Sequence, residues 1–241
     1  MNNPSPPVAS RARHAGPPLG IVAVIFTVLF NAGLYPVTLF GGMPYFPGPW
    51  ETPDVIARFF QARPAAVIAC AFFHFGASIT LGIFTATIVS RLRFLSVRAA
   101  GANIALFGGL MTAFNMAASA FVLWTMARPG IAEDTMLTNA LYYLSYALGG
   151  PGFSAPLGLL MAGVSIPAAF LKLLPNWVVI LGLVLAIIGE LSSLNLVFSW
   201  ILPLIPLTRF PGFIWLIAAG FALPKAQTSS IQSAAGSLRP G

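Results

Sequence analysis

Long apolar runs separated by short clusters of Arg, Pro and Gly set the rhythm of this chain. The runs cover about Leu19–Phe40, Pro64–Ser90, Ala100–Met126, Phe153–Leu171, Trp177–Ser199 and Phe210–Leu223. At ~1.5 Å rise per residue, about 20 residues cross a hydrocarbon core of ~30 Å. The pattern therefore predicts six crossings, of which the last is short.

One stretch departs from that rhythm. Residues 138 to 171, TNALYYLSYALGGPGFSAPLGLLMAGVSIPAAFL, are too long for one crossing, since an unbroken helix would reach roughly 50 Å. Gly149, Gly150, Pro151 and Gly152 supply a hinge: Pro151 has no backbone N–H and restrains the residue before it, while the glycines turn freely. The second half is long enough to cross. The first half, near Leu141–Leu148, is read as an interfacial or re-entrant piece, or as part of the fourth span, with Tyr142, Tyr143 and Tyr146 at the boundary. Broken helices at membrane depth line binding sites because irregular backbone there needs protein or water around it. A surface loop with apolar flanks would give the same letters.

Polar punctuation fills in the rest. GGMPYFPGPWETPD, residues 41 to 54, suits a compact surface loop. Thr52 before Pro53 then starts a short interfacial helix with Val55, Ile56, Phe59 and Phe60 on one side. KLLPN, residues 172 to 176, makes the fourth and fifth spans a hairpin. Residues 1–18 and 225–241 are polar and read as disordered cytoplasmic tails. The fold class is all-α: one polytopic transmembrane bundle over residues 19–224, with six spans, a broken fourth helix and an interfacial helix.

Composition leaves no alternative to a membrane. The chain is 58% hydrophobic and 7% charged, with mean hydropathy +0.88, which cannot clothe a water-soluble surface. Its net charge of +7 does not point to nucleic acid, because the twelve Lys and Arg cluster at span ends as topology signals. Six crossings place both termini on one side. Arg11, Arg13, Arg91, Arg93, Arg98, Lys172, Lys225 and Arg239 fall there, against Arg58, Arg63, Arg128 and Arg209 opposite, so both ends are expected in the cytoplasm. Cys70 is the single cysteine, which excludes disulfides and cysteine metal sites within one chain.

Candidate chemistry is sparse. Glu190 is the one acid inside a predicted span, where a carboxylate costs ~3 kcal/mol or more unless paired, protonated or watered. Helical spacing sets it beside Gly182, Ala186, Gly189 and Ser193, a small-residue face suited to close packing inside the bundle. His74 shares a face with Cys70, Ala77, Ser78 and Thr85, and Gly108, Thr112, Asn115 and Ser119 align in the third span. With Asn31 these form one candidate polar layer: Glu190, His74, Asn115, Asn31, Ser193 and Ser78, in which Glu190 and His74 would pair below the glycine-rich break. The plainer alternatives are that Glu190 only locks helix packing, that His74 is a satisfied interior histidine, and that the small-residue faces are ordinary contacts. There is no HExxH, no GxGxxG and no P-loop, one intramembrane histidine cannot supply bis-histidine haem ligation, and no lysine sits mid-span. No catalytic set, metal or cofactor is expected. Ser154, in GFSAP, has no visible partner for a nucleophile's role.

LYYLSYALGGPGFSAPLGLLMAGVSIPA, LPNWVVILGLVLAIIGELSSL and LTRFPGFIWLIAAGFALP together resemble small uncharacterised multi-pass membrane proteins of bacteria, a family whose function is not established. The resemblance implies a bacterial plasma membrane and assigns no functional residue. Function divides into three readings: a small-molecule binding or transport bundle with a water-accessible cavity touching Glu190; an accessory or structural protein with a dry interior and a small-residue face for a membrane-protein partner or a second copy; and, third, an integral membrane enzyme. The lipid bilayer is the partner common to all three.

Overall fold

A computed structural model describes residues 13–97 and 99–226. Most of both tails, with Arg11, Arg98 and Arg239, lies outside the described residues. Among the described residues eight α-helices carry the fold: α1 Leu19–Leu34, α2 Pro53–Ala62, α3 Pro64–Phe94, α4 Gly101–Met126, α5 Thr135–Gly149, α6 Pro151–Phe170, α7 Asn176–Ser192 and α8 Leu204–Ala222. Six helical segments are long and apolar enough to cross a membrane, with α5 and α6 together forming the fourth.

Local chemistry explains most helix starts. Proline stands in the first turn of α2, α3 and α6, where its missing N–H leaves no intrahelical bond unmade. Asp134 caps α5, its carboxylate accepting from the Leu137 N–H at 3.0 Å. That cap starts α5 at Thr135, six residues before the expected short piece, and makes it a true helix of 15 residues. The break falls at Gly150, whose φ of −90° and ψ of −102° interrupt both helices. Two other ends differ from expectation. The fifth span stops at Ser192 and passes into 3-10 turns, and the last helix begins at Leu204, Pro206 being tolerated in its first turn.

The spans pack as a ring in chain order. Each of α1, α3, α4, α6, α7 and α8 lies against the next, and α8 returns to α1. The fourth segment is the most enclosed, with 61% of its apolar window buried against 39–44% elsewhere. Small residues set the closest crossings: a Cβ on Gly163 of α6 would stand 2.5 Å from both Ala105 N and Gly101 O of α4. Gly158 and Gly189 meet the same way between α6 and α7, so the small-residue face containing Gly182, Ala186 and Gly189 is a buried packing surface. Phe26, Phe30, Phe84, Phe153, Phe213 and Trp215 fill the interior, with Phe26 and Phe213 edge to face at 5.3 Å. Trp215 donates its indole N–H to the Val178 carbonyl at 3.1 Å. Ile21, Phe72, Phe107, Phe114, Ile180 and Ile214 point outward, an apolar girdle that lipid can cover.

The two ends of the bundle differ. At one, the two ends of the described stretch meet: His14 N–H donates to the Lys225 carbonyl at 2.8 Å, and His14 Nε2 lies 3.0 Å from Ser90 Oγ. The opposite end, here the loop face, carries residues 35–52, α2 and the 127–134 and 193–203 connections. A second apolar cluster forms there, in which Ile56, Phe59 and Phe60 of α2 pack with Val67, Cys70 and Tyr142. Arg63 ties the covering loop down through the carbonyls of Met43 at 2.9 Å and of Pro36 and Gly41 at 2.8 Å.

Candidate functional site

Beneath that loop lies a cavity of about 320 Å³, a size at the lower end of small-molecule sites. Its upper wall is apolar: Leu34, Val37, Phe46, Pro47, Trp50 and Leu202. Deeper, Phe30, Met116, Phe153, His74 and Arg209 line it, with Gly149 and Gly150 of the helix break on one side. Counting ~1.5 Å per residue, His74 sits roughly 15 Å along α3 from its loop-face end. The lining contains no Asp or Glu.

Among the described lining residues Arg209 is the only fixed charge. It donates from Nη2 to the Gly149 carbonyl, and its guanidinium lies 4.9 Å from the Phe153 ring and 5.3 Å from that of Phe30, within cation–π range. Of the five N–H groups of a guanidinium, the bond to Gly149 uses one, and Nε is enclosed with no acceptor. The bond to Gly149 also satisfies a carbonyl that the end of α5 leaves without an intrahelical partner, and a cation there complements the helix dipole.

His74 forms part of the wall by its ring. It stacks on Phe30 at 4.7 Å, and Nδ1 lies 3.6 Å from Cys70 Sγ. Its Nε2 faces the α1 backbone at Gly33, without hydrogen-bond geometry to any acceptor. Nearby, the Ser119 hydroxyl lies 3.0 Å from both the Ser145 hydroxyl and carbonyl, Tyr142 donates to the Pro47 carbonyl at 2.7 Å, and Tyr146 donates to Asn195 Oδ1. These hydroxyls are engaged with the protein, whereas His74 Nε2 and Arg209 Nε are enclosed without a partner.

The predicted polar layer is dispersed. Asn115 does reach the break, donating from Nδ2 to the Gly152 carbonyl at 2.6 Å. Glu190 does not meet His74: it is exposed, on an outward strip with Ile187 and Leu194, and takes no part in the cavity wall. The reason is where α7 ends. With Ser192 as its last residue, Glu190 sits in the final turn beside the loop face instead of mid-span, where a carboxylate can reach the interface. Ser193 Oγ donates to the Glu190 backbone carbonyl at 2.6 Å. Asn31 is exposed and bonds back to the Thr27 carbonyl at 2.7 Å, and Ser78 bonds to the Phe75 carbonyl at 2.7 Å. Ser154 is buried with its hydroxyl 3.4 Å from the Ile205 carbonyl and carries no partner for nucleophilic chemistry.

The apolar pattern starts the last span at Phe210 and so leaves Arg209 outside it, whereas the helix starts six residues earlier, at Leu204. The signal was there in LTRFPGF: an arginine with apolar neighbours on both sides, and no acid within the 24-residue segment. Comparison of the chain with family models, with curated proteins and with solved structures finds no match.

Proposed function

We propose that this is a multi-pass membrane protein that binds, and in a cycle transports, a small apolar-bodied molecule in the cavity under the loop face. The observation that carries this reading is a formed apolar cavity ending on Arg209, next to the break between α5 and α6. Close-packed accessory bundles have no use for such a space. A half-buried guanidinium at membrane depth is costly to hold without a counter-ion, no acid is among the described lining residues, and the Gly149 bond accounts for one of its donors. The hinge offers a moving part: an occupant that competes with Gly149 for the guanidinium loosens the tie between α8 and the break. Orientation with the terminal face in the cytoplasm of a bacterial plasma membrane is part of the proposal. Withdrawing Arg209 from the outer charges leaves Arg58, Arg63 and Arg128 there, against Arg13, Arg91, Arg93, Lys172 and Lys225 among the described cations near the other face, which strengthens the positive-inside bias.

Cys70 makes the cavity testable without any substitution, since it is the only cysteine and lines the site. In membrane vesicles, a small membrane-permeant maleimide should alkylate Cys70 slowly, and decanol or another apolar occupant should slow it further. Full protection of Cys70 in the folded protein, with labelling only after denaturation, would mean a dry interior and support the accessory reading.

A further inference from the structure

The geometry points to an occupant of defined charge: an anionic oxygen head on an apolar body, seated head-inward with its oxygens on Arg209. This inference rests on the binding reading above and sharpens it. A neutral ligand would leave the guanidinium without a counter-charge, and a cation would meet a fixed positive charge with no carboxylate among the described lining residues to offset it. An anion supplies that charge, with oxygens to accept from guanidinium donors that the Gly149 bond leaves open. Charge-assisted bonds of a guanidinium to carboxylate or phosphate are the strong class, and its flat fork suits two oxygens at once.

The polarity of the wall sets the direction of binding. Arg209 is five residues into α8 from Leu204, about 8 Å below the helix end at ~1.5 Å per residue. Nearer the mouth the wall is mostly hydrocarbon or ring, with Leu34, Val37, Phe46, Trp50 and Leu202, and the Thr38 hydroxyl there is already bonded to the Tyr35 carbonyl. Trp50 and Pro206 at the rim are exposed, so a chain can leave the site between the covering loop and α8 toward the outer apolar girdle. Phe30 and Phe153, which flank the guanidinium, exclude water from the head's surroundings and raise the strength of the ion pair. A carboxylate on an alkyl chain and the phosphate of a single-chain lipid share this chemistry.

The test uses the protein in nanodiscs and the alkylation rate of Cys70 as the readout. Four compounds of one chain length are compared: decanoate, decyl phosphate, decanol and decyltrimethylammonium. Both anions should protect Cys70 at concentrations about ten- to a hundredfold below decanol, the range expected for one charge-assisted bond, and the cation should protect least. Whichever anion acts at lower concentration identifies carboxylate or phosphate as the head. In Arg209→Gln the advantage of the anions over decanol should vanish, and Arg209→Lys should keep part of it. If decanol protects as well as decanoate in the wild type, the charge assignment is overturned while the cavity stands. Failure of all four to protect a reactive Cys70 overturns both. Because the wild-type series decides by itself, misfolding of Arg209→Gln would not rescue the inference.

Discussion

Gly163→Ala is the sharpest test of the packing, because the atoms it would strike cannot turn aside. The added methyl would stand 2.5 Å from Ala105 N and from Gly101 O and 2.9 Å from Ala105 Cα, roughly 1 Å inside an ordinary contact of ~3.5 Å. All three are backbone atoms of α4, so relief requires moving one helix against the other. Overpacking costs about 1–3 kcal/mol, and the absence of any flexible side chain puts this site near the upper end. Alanine in place of glycine within a helix returns up to ~1 kcal/mol. The net loss should be about 2 kcal/mol, enough to lower the unfolding midpoint clearly in a detergent-titration experiment followed by tryptophan fluorescence. Gly82→Ala is the control: nothing lies within 4 Å of its added methyl, so it should gain stability or leave it unchanged. A Gly163→Ala protein as stable as the wild type would refute the close crossing of α4 and α6.

Other expectations follow from single contacts. Asp134→Ala removes the cap on α5 and should cost roughly 1 kcal/mol, with faster amide exchange confined to residues 135–138. Tyr142→Phe deletes the bond to Pro47 at 2.7 Å, costing about 1 kcal/mol, and should make the 38–52 loop the first site of proteolytic cutting; unchanged cutting would argue against its role as a strap. His14, outside the spans, has its pKa lowered from 6.5 by burial first and by the Arg91 charge second. Its folded form thus resists the proton that the unfolded chain takes up. The stability it contributes is complete above about pH 6.5 and is lost as pH falls from there toward the lowered folded value. His14→Asn should flatten the fall in thermal midpoint between pH 7.5 and pH 5.5.

The spans were legible in the sequence because hydropathy over twenty residues is a strong signal and backbone bonding in lipid leaves helices as the economical solution. The break at Gly149–Gly152 and the start at Pro53 were legible for local reasons, a missing N–H and a free φ. Helix ends were less so. Ser193–Leu202 is apolar enough to continue a span, yet it folds as 3-10 turns anchored by Asn195, which accepts from Tyr146 and donates to the Ser199 carbonyl, and no periodicity announces that. The candidate site moved for the same reason: shifting two ends by about six residues carried Glu190 out to the rim and drew Arg209 inside. Polar residues with short side chains, such as Asn31 and Ser78, satisfy themselves on their own helix, and spacing cannot separate these from residues that face a ligand.

Closure of the ring between the first and last spans has a consequence for biosynthesis. Gly20 of α1 and Gly220 of α8 touch so closely that a Cβ on Gly220 would lie 2.8 Å from Gly20 N. Until α8 has been made and inserted, α1 therefore waits in the bilayer with that seam open, held from the α3 side. Chains shortened before residue 204 should leave that seam exposed to membrane quality-control proteases, whereas joining the two ends by a short linker should let the protein assemble from new termini opened in the 127–134 connection.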